Sequence, residues 1–162
     1  MKIQDIHSIY FLGIGGIGMS ALARYFNARG ISVSGYGKTP TLLTSELEKD
    51  GIHITFEDSI DTLMEDANLV VYTPAIPKNH LQFNNYKDNG FVLKKRAEVL
   101  GIIANELFNI SIAGSHGKTS TSSLVAHLLH TGNKDVSAFL GGICLNFGSN
   151  YIDGNTYAVA EA

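Results

Sequence analysis

At 162 residues, 44% of them apolar and 17% charged, the chain is long enough to bury a core and too apolar to be disordered. A formal net charge of −3 and no long basic run argue against nucleic acid as the main partner. The single cysteine leaves no intramolecular disulfide, and neither a signal-like start nor an apolar run of membrane-spanning length is present. A soluble cytoplasmic protein with no membrane partner is the expectation.

Apolar runs alternate with amphipathic segments from end to end. Strand-like runs fall at 8–13, 31–36, 52–56, 69–73, 91–93, 110–113, 136–140 and 157–160. Helix-like segments fall at 19–28, 42–49, 60–65, 80–89, 96–105 and 119–131. Alternating elements with short connections predict an α/β fold, a parallel sheet with helices on both faces. A polar turn at 105–109 separates two strand–loop–helix starts and sets the expected boundary, 1–106 against 107–162. Each half opens with its own glycine-rich loop.

The first loop, Gly13-Ile14-Gly15-Gly16-Ile17-Gly18, supplies G-x-G-x-x-G directly after the first strand. Gly13 allows the tight turn, Gly15 lets a pyrophosphate approach the backbone, and Gly18 permits close helix–strand packing. A dinucleotide site also needs an acid at the end of the second strand, about 20 residues on, to hold ribose hydroxyls. That strand ends Ser34-Gly35-Tyr36-Gly37-Lys38, with no carboxylate. Lys38 suits a 2′-phosphate, so NADP stays open, and the diphosphate of another nucleotide fits without the acid. A glycine turn made only for packing is the plain alternative.

The second loop reads Gly114-Ser115-His116-Gly117-Lys118-Thr119-Ser120 between a strand-like run and a helix. Backbone N–H groups and the positive helix end face an anion there. Lys118 adds a mobile charge and the Thr119 hydroxyl can hold Mg²⁺. The longer nucleotide-loop pattern puts its first Gly where Ile112 stands. ATP or GTP is the favoured ligand, against a plain β-to-α turn with an exposed Lys. Two phosphate loops in one chain point to chemistry between two phosphorylated ligands: ATP-driven activation of a nucleotide-linked substrate. Such phosphoryl transfer relies on Lys and Mg²⁺ rather than on a protein nucleophile.

Four segments, G-I-G-G-I-G-M-S-A-L-A (13–23), T-P-A-I-P (73–77), K-R-A-E-V-L (95–100) and G-S-H-G-K-T-S-T (114–121), stand in the order and approximate spacing of the Mur ligases. The chain resembles that family over essentially its whole length. The resemblance implies a Rossmann-like UDP-sugar domain over 1–106 and the opening of a P-loop ATPase domain over 107–162. It further implies a cytoplasmic step of peptidoglycan synthesis in which L-alanine is ligated to UDP-N-acetylmuramate. ATP phosphorylates the muramyl carboxylate, the amine attacks the acyl phosphate, and phosphate leaves.

Carried over to this sequence, the resemblance places Gly15, Gly16, Ile17 and Gly18 on the UDP diphosphate and Thr73 near the nucleotide sugar. Gly114, Ser115, His116, Gly117, Lys118, Thr119 and Ser120 would wrap the ATP phosphates, with Lys118 as the catalytic cation. Thr119 and Glu161 would hold Mg²⁺, Glu161 opening the family's E-A-D-E. The family usually carries an acid near Gly37, which puts part of nucleotide recognition there in question. Because the chain stops inside E-A-D-E, it is expected to be the N-terminal piece of a longer enzyme, binding UDP-sugar weakly and inactive alone. Leu124, Val125 and Leu128 are then expected to be uncovered, with 107–162 mobile or packed on another copy.

Other residues carry plainer readings. His127 and His130 share a helix face at i, i+3 without a third ligand, so a surface face is expected. His116 is a loop residue with no required role as a base. Tyr25 and Phe26 read as core, and Gly141-Gly142 as a turn, with backbone close to a ligand as the alternative. Lys94, Lys95 and Arg96 read as a solvated basic cluster, with Arg96 on a substrate anion as the sharper alternative. Three competing functions remain: an NADP-dependent oxidoreductase using the first loop and Lys38, a non-catalytic nucleotide sensor, and a sister ligase attaching a whole peptide to the same sugar nucleotide.

Overall fold

The strands of the first half are apolar runs because helices cover both faces of their sheet. β1 (Ser8–Leu12) is buried at all five positions. It pairs in parallel with β2 (Ser32–Tyr36) on one side and β4 (Leu69–Tyr72) on the other. β3 (His53–Thr55) extends the sheet beyond β2, and β5 (Leu93–Lys95) extends it beyond β4, giving the order β3-β2-β1-β4-β5. The order reverses at β1. In open parallel sheets a ligand crevice forms at that place, outside the carboxyl ends of the strands. The register aligns those ends, since Leu12 stands opposite both Tyr36 and Tyr72. The computed structural model describes residues 2–161.

Four helices complete this half: α1 (Ile17–Ala28), α2 (Leu42–Lys49), α3 (Leu81–Asp88) and α4 (Arg96–Glu106). α1 buries Met19, Leu22, Tyr25 and Phe26, so Tyr25 and Phe26 are core as expected. Thr41 caps α2, its hydroxyl accepting from the Thr44 N–H at 3.2 Å. On the other side of β1, Tyr10 and Tyr86 pack at 5.3 Å between ring centroids, both fully buried. The Tyr10 hydroxyl donates to Gln82 Oε1 at 3.0 Å. Gln82 Nε2 lies within 3.2 Å of three oxygens, Glu57 O, Ser59 O and Thr62 Oγ1. Gln82 is wholly buried, so this satisfied amide fixes α3 against the segment 57–62.

The second half is built on β6 (Phe108–Ile112), α5 (Lys118–Thr131), β7 (Val136–Cys144), β8 (Ser149–Ile152) and β9 (Tyr157–Glu161). Its sheet runs β6-β9-β7-β8. β6, β9 and β7 are parallel and β8 is antiparallel to β7. Val136, Ala138, Leu140 and Val159 form its core with Ala126 of α5.

Several expectations are corrected. The helix expected at 60–65 is one 3₁₀ turn, Ile60–Thr62, because Leu63 turns extended straight after it. The strand expected at 91–93 lies at Leu93–Lys95, and that expected at 136–140 runs on to Cys144. β8 was not anticipated: Ser149 and Asn150 give its four residues no apolar run. The sheet of the second half is therefore mixed. By their contacts the residues group into two compact units, 1–99 and 100–162, which meet in sequence inside α4. Leu124 and Leu128 are exposed as expected, whereas Val125 packs against the core. Among the described residues no helix is long and apolar enough to cross a membrane.

Candidate functional site

The crevice at the strand-order reversal is a cleft of about 540 Å³. Gly13, Gly15 and Gly16 form one wall. The Gly13 and Ile14 N–H groups both donate to Tyr36 O at 2.9 Å, which ties the first loop to the end of β2. Gly16 caps α1 in an extended conformation, leaving the helix N-terminus open to an anion. Thr73, Ala75 and Ile76, on the loop after β4, form the facing wall, and Tyr36 and Lys38 line the cleft from the end of β2.

Of the residues expected on the UDP moiety, the structure brings Gly15, Gly16 and Thr73 to this cleft. Ile17 and Gly18 are the first two residues of α1 and do not line it. Gly18 instead makes room for Arg96, since a Cβ there would lie 2.8 Å from Arg96 Nη1. Arg96 itself packs against the first turn of α1 and does not line the cleft. A Cβ at Gly37 would press on the Phe56 ring at 3.1 Å, so an acid at that position requires Phe56 to shift.

Five cleft residues escaped the sequence reading: Thr39, Thr41, Asp58, Asn79 and His80. Asp58 follows β3 and accepts from the first two amides of α3, Leu81 N–H at 2.9 Å and Gln82 N–H at 3.0 Å. His80 precedes α3, and its Nδ1 stands 3.0 Å from Asp58 Oδ1. Burial holds its imidazole below the usual histidine range, against an opposing pull from Asp58. Tyr36 packs edge-on against the His80 ring at 4.6 Å, and burial, then Asp58, raises its phenol. Nothing in the local pattern around Asp58 or His80 distinguishes them from solvated polar residues.

The second loop lies between β6 and α5. Gly117 caps α5 with a left-handed backbone, φ 76°. Lys118 Nζ donates to Gly114 O at 2.6 Å, so the lysine arches back over the loop. Ser115, His116, Gly117 and Ser120 are exposed around it. β6–β9 register sets Ile112 opposite Glu161, which carries that carboxylate to the mouth of the loop. Thr119 Oγ1 donates to Glu161 Oε2 at 3.1 Å, and Ser122 Oγ and the Gly141 N–H donate to Oε1 at 2.7 and 2.9 Å. A Cβ at Gly141 would fall 2.4 Å from Glu161 Oε2 and 2.8 Å from Thr119 Oγ1. Gly141 is therefore part of β7 and a close-approach position beside Glu161, not the turn expected from Gly141-Gly142. A carboxylate paired with a hydroxyl offers hard oxygens of the kind Mg²⁺ takes. His127 and His130 flank the Phe147 ring at 6.1 and 5.4 Å, and His127 Nδ1 is 3.2 Å from Asn146 Nδ2.

Comparison with known proteins places this geometry. The chain is 53% identical, over its full length, to the UDP-N-acetylmuramate–L-alanine ligase of Flavobacterium psychrophilum, and spans 37% of that relative. The crystal structure of the UDP-N-acetylmuramate–alanine ligase of Thermotoga maritima matches with a TM-score of 0.88 at 34% identity, over 95% of this chain and 36% of that one. A murein peptide ligase from Psychrobacter arcticus also matches at 0.88, with 26% identity, over 96% of this chain and 37% of that one. The model of the Mur ligase family, catalytic domain, matches residues 8–107, and the chain belongs to the Mur ligase family.

Proposed function

We propose that the chain carries the nucleotide-sugar cleft and the ATP loop of an enzyme that ligates L-alanine to UDP-N-acetylmuramate. The observation that carries this reading is the pairing of two phosphate-type loops, each at the carboxyl end of its own sheet. The first opens on a 540 Å³ cleft and the second holds a lysine, a threonine and a glutamate together. Gly15, Gly16 and Thr73 would hold the UDP-sugar. Gly114, Ser115, His116, Gly117 and Ser120 would surround the ATP phosphates, and Lys118 would neutralise charge as the γ-phosphoryl group passes to the muramyl carboxylate. ADP leaves at that step. The amine of L-alanine then attacks the acyl carbon, an amide forms, and phosphate is released.

Thr119 and Glu161 would hold Mg²⁺, which supplies charge neutralisation at the phosphates. Glu161 is oriented by Ser122 Oγ and the Gly141 N–H, both donating to Oε1. A cytoplasmic place in peptidoglycan synthesis follows from these substrates.

The two ligase types share this fold equally at a TM-score of 0.88, so fold does not separate them. Identity favours the alanine ligase, at 34% against 26% for the peptide ligase. The NADP oxidoreductase reading leaves the second loop without a role. Calorimetry with UDP-N-acetylmuramate tests the proposal: saturable heat at millimolar ligand or below is expected. No heat at that concentration, with the chain shown to be folded, would overturn it.

A further inference from the structure

A diphosphate held in the cleft needs a counter-charge that the molecule as a whole does not supply. The formal net charge is −3, so an anion gains nothing from the overall field and must be met locally. The glycine loop meets it in part. Gly16 leaves the N-terminus of α1 open, and the unsatisfied N–H groups there carry partial positive charge.

A full positive charge has to come from a side chain. Lys38, Asp58 and His80 are the lysine, carboxylate and histidine that line the cleft. Asp58 is already occupied, accepting from the Leu81 and Gln82 N–H groups and standing beside His80. Burial disfavours the protonated form of His80. Arg96 packs on the first turn of α1, outside the cleft. Lys38 is left. It is exposed, lines the cleft, and makes no ion pair among the described residues.

The backbone fixes where that lysine starts. Tyr36 O, two residues before it, accepts from the Gly13 and Ile14 N–H groups, and the Gly37 N–H donates to Thr55 O, all at 2.9 Å. The end of β2 is thus tied to the glycine loop on one side and to β3 on the other. Gly37 places no carboxylate beside Lys38. A dinucleotide site keeps an acid at the end of its second strand for ribose hydroxyls, and here the charge at that end is reversed.

We propose that Lys38 is a specificity-determining residue of the cleft, its ammonium pairing with the phosphates of the bound nucleotide and favouring nucleoside diphosphates over monophosphates. A point charge on a flexible stem can follow either phosphate. This assignment rests on the reading of the cleft as a UDP-sugar site, and it adds the full charge that the glycine loop lacks.

The test is calorimetry on the whole chain with UDP and UMP at low and high salt. Wild type is expected to prefer UDP about fivefold, with the preference shrinking as salt rises. K38M keeps the apolar stem and removes the charge. It is expected to lose about threefold to fivefold in UDP affinity, little in UMP affinity, and most of the salt dependence. K38R returns the charge and is expected to recover the preference. Thermal unfolding of each variant checks that it is folded. A folded K38M that binds UDP as wild type does, or that loses UDP and UMP in equal proportion, would overturn the role of Lys38 while leaving the UDP site standing. Tighter binding of NADP than of UDP, with that difference lost in K38M, would place the lysine on a ribose phosphate and overturn the assignment. Failure of wild type to bind UDP at all would remove the cleft reading and this assignment together.

Discussion

The two glycine loops are readied for phosphate in opposite ways. The first is open: its loop borders a cleft whose walls come from the ends of β1, β2, β3 and β4. The second is folded on itself, with Lys118 on Gly114 O and Glu161 held by Thr119, Ser122 and Gly141. A site that must recognise a whole molecule needs walls drawn from many loops. One that must only meet a triphosphate can be assembled from a single turn and the strands beside it.

The contrast can be broken most sharply at Gly141. G141V drives a side chain into the space of Glu161 and Thr119, and overpacking of that kind costs about 1–3 kcal/mol. Hydrogen exchange should show the second unit loosened and the first unchanged; equal loosening of both would remove the distinction drawn between the loops.

High pH should sharpen it from the other side. Burial raises the phenols of Tyr10 and Tyr86 above their ordinary value near 10, with Tyr86 raising Tyr10 further. Because the folded state keeps these protons longer than the unfolded chain does, their contribution is intact below pH 10. It is lost as pH rises toward the folded values, by up to about 1.4 kcal/mol per pH unit for each phenol. Denaturant unfolding between pH 9 and 11 should show the first unit weakening, and Y86F should flatten the slope. A slope unchanged in Y86F would show that this phenol does not carry the effect.

The smallest effect belongs to Lys118. Its bond to Gly114 O is solvent-exposed, so K118A should change stability by less than about 0.5 kcal/mol. ATP affinity, followed by nucleotide titration, should fall severalfold or more. A large loss of stability instead would mean that the lysine holds the loop together and is not merely stationed in it.

What was legible in the sequence follows the same division. Both glycine loops, their flanking strands and the helices after them were readable because each is a contiguous stretch with its own periodicity. Lys118 and Thr119 were readable in the second loop itself and Glu161 came from the family resemblance; register accounts for their meeting, since Ile112 opposite Glu161 is fixed by strand pairing. Asp58 and His80 were not readable. They lie 22 residues apart, and their encounter depends on Asp58 capping α3, a tertiary event with no local pattern. β8 was missed for a different reason: its residues Ser149 and Asn150 carry no apolar run, and only pairing with β7 makes them a strand. The amphipathic look of 60–65 misled because a helix there would have to continue past Leu63, which is extended.

The place of β9 in its sheet has a kinetic consequence. β9 follows β6, β7 and β8 in sequence yet lies between β6 and β7. Neither neighbour has its inner partner until residues 157–161 arrive. Closing β6 onto β9 spans about fifty residues, an entropic toll that rises with loop length and slows pairing. During synthesis on the ribosome the first unit can complete its sheet once β5 has emerged. The second must wait with β6 and β7 bare-edged, and that interval is when this chain is most exposed to capture by chaperones or to aggregation.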